Sequence, residues 1–165
     1  MPDATPPTEL MIDLIDEVIR GQTRIALVYE LAGGAEELNR TGRAVLTAVV
    51  RAATPPTVPQ IGRSLGYPRQ TIQRQAEDLV RLGFIEFVDN PDHKRARRLI
   101  ATPAGAAWYE KGHRLALEWA ADFTKDLDPR ALATAVAVLR EVRHRLERQA
   151  REPRVRPPRP IARAS

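Results

Sequence analysis

Arg69, Gln70, Thr71, Gln73 and Arg74 bring together, within six consecutive positions, the side chains best suited to reading duplex DNA. Base edges in the major groove offer paired donors and acceptors, which Arg matches on guanine and Gln on adenine, and an α-helix fits that groove. The stretch 69–82 has the spacing of such a helix. Ile72, Ala76, Leu79 and Val80 would face inward, and the five polar residues would fill the exposed side of its first two turns. Glu77 and Asp78 come next, where their charge would repel DNA, so contact belongs to the N-terminal half. The helix N-terminus adds unpaired N–H groups and the positive end of its dipole, both favourable to phosphate. A plain solvated helix face would carry the same residues, and the stripe by itself leaves both uses open.

A second constellation, His93-Lys94-Arg95-Ala96-Arg97-Arg98, packs four permanent positive charges into its last five residues. Like charges repel, so such a cluster asks for a partner of opposite sign. A narrow A·T-rich minor groove is one, because its negative potential is enhanced and an arginine side chain fits inside it. His93, Lys94, Arg95 and Arg97 are therefore candidate DNA contacts, against the competing reading of a run that only improves solubility.

Proline shows which elements must hold these residues. Its ring fixes φ and removes an N–H, and all fourteen prolines fall at ends or turns. Apolar residues from Leu10, Met11, Leu14, Ile15 and Val18 through Ile25 and Tyr29 recur every three or four positions, which predicts one long helix ending near Gly33-Gly34. Thr41 is a plausible cap for a second helix over 41–53, with Val45, Leu46, Val49 and Val50 inward. Residues 57–65 read as a short helix, Gly66-Tyr67-Pro68 as a turn and 69–82 as the longer second helix, which is the helix-turn-helix pattern. After Gly83, residues 84–88 and 98–102 have strand composition around the turn Asp89-Asn90-Pro91-Asp92, giving a β-hairpin wing that would carry the cationic loop outward. Thr102-Pro103 and Asp128-Pro129 each set a capping side chain before a proline, the usual order at a helix start. The helices that follow carry Trp108, Leu115, Trp119 and Phe123, then Leu132, Val136, Leu139, Val142 and Leu146.

The expected architecture is mainly α with a small β-hairpin wing. It comprises a disordered leader (1–7), an N-terminal dimerisation helix and connector (8–40), a winged helix-turn-helix (41–102), C-terminal dimerisation helices (103–150) and a disordered Arg/Pro-rich tail (151–165). From Thr57-Val58-Pro59-Gln60-Ile61 through Arg69-Gln70-Thr71-Ile72, Leu79-Val80-Arg81-Leu82-Gly83-Phe84-Ile85 and Asn90-Pro91-Asp92-His93-Lys94-Arg95 to Thr102-Pro103-Ala104-Gly105, the order and spacing of motifs resemble the MarR family of winged helix-turn-helix regulators. The resemblance spans roughly residues 8–148. It implies an obligate homodimer that binds an inverted-repeat operator, with the terminal helices interleaved at a two-fold axis and the wings straddling double-stranded DNA. Repression is the family's common behaviour. Two positions depart from the pattern. The aspartate that usually stands two residues before the minor-groove arginine is His93 here, leaving Asp92, or a histidine contact to phosphate, to take its place. The usual serine cap before the recognition helix is Pro68.

Apolar stripes of this length point independently to a dimer. Leu10 to Tyr29 extends about 30 Å at 1.5 Å per residue, more than a small chain covers readily, so Leu10, Met11, Leu14, Ile15, Val18, Leu132, Val136, Leu139 and Leu146 are the expected dimer contacts. The resemblance also implies a crevice between these helices and the winged lobe that takes small aromatic acids. Tyr29, Trp108 and His113 are the candidate ligand residues for such an aromatic or other organic inducer, although aromatics at this spacing more often serve as core and a lone histidine is usually a surface or capping group.

Composition excludes much else. The net charge of +5 and pI near 10.2 favour polyanionic partners. Residues 56–102 carry eight basic against five acidic side chains and 150–165 five against one. Without cysteine there is no thiol catalysis, no disulfide and no thiol-based peroxide sensing. His93, His113 and His144 are isolated from one another, Ser64 and Ser165 are the only serines, and Gly33-Gly34 lacks the lysine of a phosphate loop, so neither an enzyme nor a metal or other cofactor is expected. The longest stretches free of Asp, Glu, Lys and Arg, 52–62 and 99–109, are too short to cross a bilayer, and no targeting segment is evident, so cytoplasm is the expected location and no membrane is a partner. The competing function is a winged-helix module that binds nucleic acid nonspecifically or contacts protein or RNA.

Overall fold

The computed structural model describes the backbone of residues 5–29, 38–92 and 96–150, and their side chains apart from those of Val28 and Tyr29. These residues form α1 (Pro7–Tyr29), α2 (Arg40–Val50), α3 (Val58–Leu65), α4 (Arg69–Arg81), β1 (Ile85–Val88), β2 (Arg98–Ala101), α5 (Pro103–Phe123) and α6 (Pro129–Gln149). The architecture is the expected one, helical with a two-stranded antiparallel wing.

Side-chain chemistry sets most of the helix starts. Thr102 Oγ1 accepts from Gly105 N at 3.1 Å and Asp128 Oδ1 from Arg130 N at 2.9 Å, each with proline opening the helix. At α3, Gln60 reaches back so that its Oε1 accepts from Thr57 N (2.7 Å) and the Thr57 hydroxyl (2.8 Å). The cap of α2 differs from expectation: Asn39 Oδ1 accepts from Gly42 N at 2.8 Å, while Thr41 lies within the helix. Two ends also move. Pro7, placed in the leader by sequence, is the first residue of α1, and α2 stops at Val50 rather than 53. The expected end of α1 near Gly33-Gly34, most of the leader and the Arg/Pro-rich tail lie outside the described residues.

One core holds the centre of the chain. Leu38, Val45, Leu46, Val49, Val58, Ile61, Ile72, Ala76, Leu79, Ile85 and Leu99 form a single buried cluster drawn from the approach to α2, from α2, α3 and α4, and from both strands. α4 packs against α2, α3 and β1, so it is clamped on its inner side along its length. Val80 was expected to join this face but is 38% exposed, since it lies one residue round the helix from Leu79. The strands pair with Phe87 opposite Leu99 and Ile85 opposite Ala101, which puts these four residues on the core face. The connector before α3 extends the wing at its base: Thr57 bridges to Arg98, and Leu99 N donates to Pro56 O at 2.8 Å.

α1 and α6 are built otherwise. α6 contains no buried residue, and both helices have little contact with the rest of the chain. Leu10, Met11, Ile15, Val18, Leu132, Val136, Leu139 and Leu146 are all exposed, and only Leu14 of the expected dimer contacts is half-buried.

Candidate nucleic-acid interface and an adjoining crevice

The turn between α3 and α4 fixes how the candidate reading helix leaves the lobe. Gly66 adopts a left-handed conformation (φ 73°), which glycine reaches without strain, and Tyr67 N donates to Gly62 O at 3.0 Å. Pro68 then precedes α4, and Ile72 N finds Pro68 O at 3.2 Å. With Ile72, Ala76 and Leu79 locked into the core, the opposite side of the first two turns must face solvent. Arg69, Gln70 and Arg74 are exposed there, and Thr71 and Gln73 are half-buried. Neither Arg69 nor Arg74 has an ion-pair partner among the described residues.

Arg69, Gln73 and Glu77 follow one another at intervals of a helical turn and line a groove of about 390 Å³ between α4 and the wing, together with Val58, Phe87 and Arg97. Gln73 Nε2 donates to Glu77 Oε1 at 2.7 Å. Sequence reasoning set Glu77 aside as a repelling charge and missed this bond. The spacing of four residues was the signal that could have shown it.

The wing is braced at its root. Arg97 donates through Nη2 to Phe87 O at 2.5 Å, and its guanidinium lies 5.3 Å from the Phe87 ring centre. Asn90 Nδ2 donates to Ala96 O at 2.8 Å, tying the two sides of the loop together. Asp92, the residue weighed as a steadying partner for Arg95, pairs with Arg98 at 2.5 Å. His93, Lys94 and Arg95 lie outside the described residues.

At the other end of the hinge from wing to α5, the backbone is packed without room to spare. Thr102 N donates to Phe84 O at 3.0 Å and Thr102 Oγ1 to Gly83 O at 2.6 Å. A Cβ on Gly105 would lie 1.9 Å from Phe84 O, so only glycine fits this joint.

A crevice of about 800 Å³ opens between α1, α2 and α5. The structure brings Trp108 and His113 together there, with Tyr109 stacked on His113 at 5.6 Å between ring centres. Trp108 also touches the core through Phe84, 6.0 Å away, so it is both core and lining. The Tyr29 side chain lies outside the described residues. Arg40, Arg43 and Arg51 line the α2 wall, and Arg43 Nη1 is buried with no hydrogen-bond partner among the described residues. Leaving a buried charged donor unpaired costs about 1–3 kcal/mol or more. Sequence reasoning missed Arg43, a cation two and three residues before the core residues Val45 and Leu46. Among the described residues, no group of three or more His, Asp or Glu is placed to hold a metal, and no helix is long and apolar enough to cross a membrane.

Residues 38–96, the core lobe with its helix-turn-helix and wing, match the model of the MarR family. This segment is a MarR-family winged helix-turn-helix. An uncharacterized protein of Mycobacterium tuberculosis (strain ATCC 25618 / H37Rv) is 41% identical over 101 residues, covering 54% of this chain and 66% of that protein. The chain thus spans just under two thirds of the length of the curated relatives it matches. Among solved structures, a mutant MarR from E. coli complexed with operator DNA is similar with a TM-score of 0.62 and 24% identity, over 84% of this chain and 99% of that one. The PcaV transcriptional regulator from Streptomyces coelicolor, in complex with its natural ligand, is similar with a TM-score of 0.62 and 23% identity, over 86% and 94%. The likeness to both extends the MarR-type fold beyond the matched segment to the terminal helices.

Proposed function

We propose that this chain is a sequence-specific, double-stranded-DNA-binding transcription regulator that acts in the cytoplasm as a homodimer on an inverted-repeat operator, represses by occupying a promoter, and answers to a small organic effector. The observation that carries the reading is α4: its inner face is locked in the core while Arg69, Gln70 and Arg74 are exposed and Gln73 lines the groove beside Arg97 of the wing. The E. coli relative with this fold was captured on operator DNA, which supports the same use of α4 here. Two copies related by a two-fold axis would set two such helices about 34 Å apart, one turn of B-DNA. The exposed apolar stripes of α1 and α6 are the surfaces available for that pairing.

The crevice is the proposed effector site, by analogy with PcaV and its ligand. Its aromatic walls suit a flat organic molecule, and the unpaired Arg43 favours one that bears an anionic group. An effector that prefers one spacing of the two reading helices over another would shift DNA affinity by that preference.

Selection of bound sequences from random duplex DNA tests the function. The expected result is one enriched palindrome with half-sites about 10–10.5 bp apart, centre to centre, or a multiple of that. Enrichment of no motif, with affinity governed by salt alone, would favour a nonspecific polyanion binder instead.

A further inference from the structure

The geometry points to Glu77 as a positioning residue that sets which base Gln73 reads. The inference rests on the DNA-reading role proposed for α4. A glutamine side chain carries one acceptor and one two-proton donor at the ends of a flat amide, and free rotation exchanges them. Here the exchange is opposed. Gln73 Nε2 donates to Glu77 Oε1 at 2.7 Å, and a carboxylate only accepts, so turning the amide would give up this bond and set oxygen against oxygen.

The nitrogen has a second proton, and the amide oxygen is not used by Glu77. Together they present an acceptor and a donor in one fixed order. Adenine's major-groove edge offers the complementary pair, the N6 donor and the N7 acceptor, whereas guanine offers two acceptors at N7 and O6. A locked amide therefore favours adenine at one position of each half-site. A free amide could turn and lend a donor to guanine.

Position supports the assignment. Arg69 stands one turn before Gln73 and Glu77 one turn after, and all three line the same groove below the wing. The cation lies toward the helix N-terminus, where backbone phosphates are favoured. The anion lies toward the far end, where it excludes phosphate and leaves Gln73 to face bases.

The test compares sequences selected from random duplex DNA by the full-length wild type and by Gln73→Ala, Glu77→Gln and Glu77→Asp. Gln73→Ala identifies the position that Gln73 reads. At that position the wild type should prefer adenine over guanine by roughly tenfold or more, the size of one bidentate contact. Glu77→Gln removes the charge and allows the amide to turn. Glu77→Asp keeps the charge but shortens the reach. Both should reduce the adenine preference to about threefold or less, and the circular dichroism melts should match wild type, since the side chain is exposed.

The inference is overturned if Glu77→Asp keeps the wild-type preference, or if Glu77→Gln only raises affinity equally on all duplexes. Glu77 would then act as charge alone. It is also overturned if preference is lost at a neighbouring position while the Gln73 position is unchanged. If the wild type itself enriches no motif, the proposed function fails and carries this inference with it, so the two failures are told apart by the wild-type arm.

Discussion

The winged lobe and the terminal helices solve the burial problem in opposite ways. The lobe, from Leu38 to Leu99, closes a core within one chain, with Val45, Leu46, Ile72, Ala76, Leu79 and Leu99 fully removed from solvent. α1 and α6 carry stripes of comparable apolar content, yet Leu10 is 53% and Leu146 59% exposed. The contrast teaches that one chain suffices to hold the proposed reading helix rigid but leaves the helices that would set its partner's distance uncovered. Stability of the lobe should then be a property of the single chain, and stability of α1 and α6 a property of concentration.

Substitutions can break this contrast or sharpen it. Ile72→Ala empties a fully buried site under α4 and should cost about 2–5 kcal/mol, independent of protein concentration, in chemical denaturation. Leu146→Ala alters a side chain that is exposed in the single chain, where surface changes stay within about 0.5 kcal/mol. If a second copy covers it, the cost should be about 1.5–3 kcal/mol per side and appear as a weaker dimer in dilution experiments. Gly105→Ala forces a Cβ against Phe84 O and should lower lobe stability by about 1–3 kcal/mol or more, read as an earlier thermal midpoint. Asn39→Ala removes the α2 cap and should cost about 1 kcal/mol by the same measurement. A concentration-dependent loss for Ile72→Ala, or none for Leu146→Ala at any concentration, would erase the distinction between the two regions.

How much of this was legible in the sequence follows from what each signal depends on. The starts of α5 and α6 were plain because Thr102-Pro103 and Asp128-Pro129 combine a cap with a residue that only a helix start tolerates. The helix-turn-helix was equally plain, since Gly66-Tyr67-Pro68 stops one helix and opens the next. The cap of α2 was not, because Asn39 and Thr41 are both competent and the choice turns on which side chain reaches the Gly42 N–H. Val80 was misplaced because periodicity marks the centre of an apolar face better than its edge.

The site divides along the same line. Residue types alone located the polar face of α4, but the pairing of Gln73 with Glu77, the brace from Arg97 to Phe87 and the burial of Arg43 Nη1 depend on how side chains meet in space. A charge read singly looks like attraction or repulsion. Its partner, or the lack of one, decides what it can do.

The most direct measurement is sedimentation of the free protein across a dilution series and of its complex with a duplex bearing the selected palindrome. The account predicts a folded species of twice the 18.4 kDa chain, loaded as one pair per duplex. A folded single chain that persists at every concentration and occupies its site alone would contradict it.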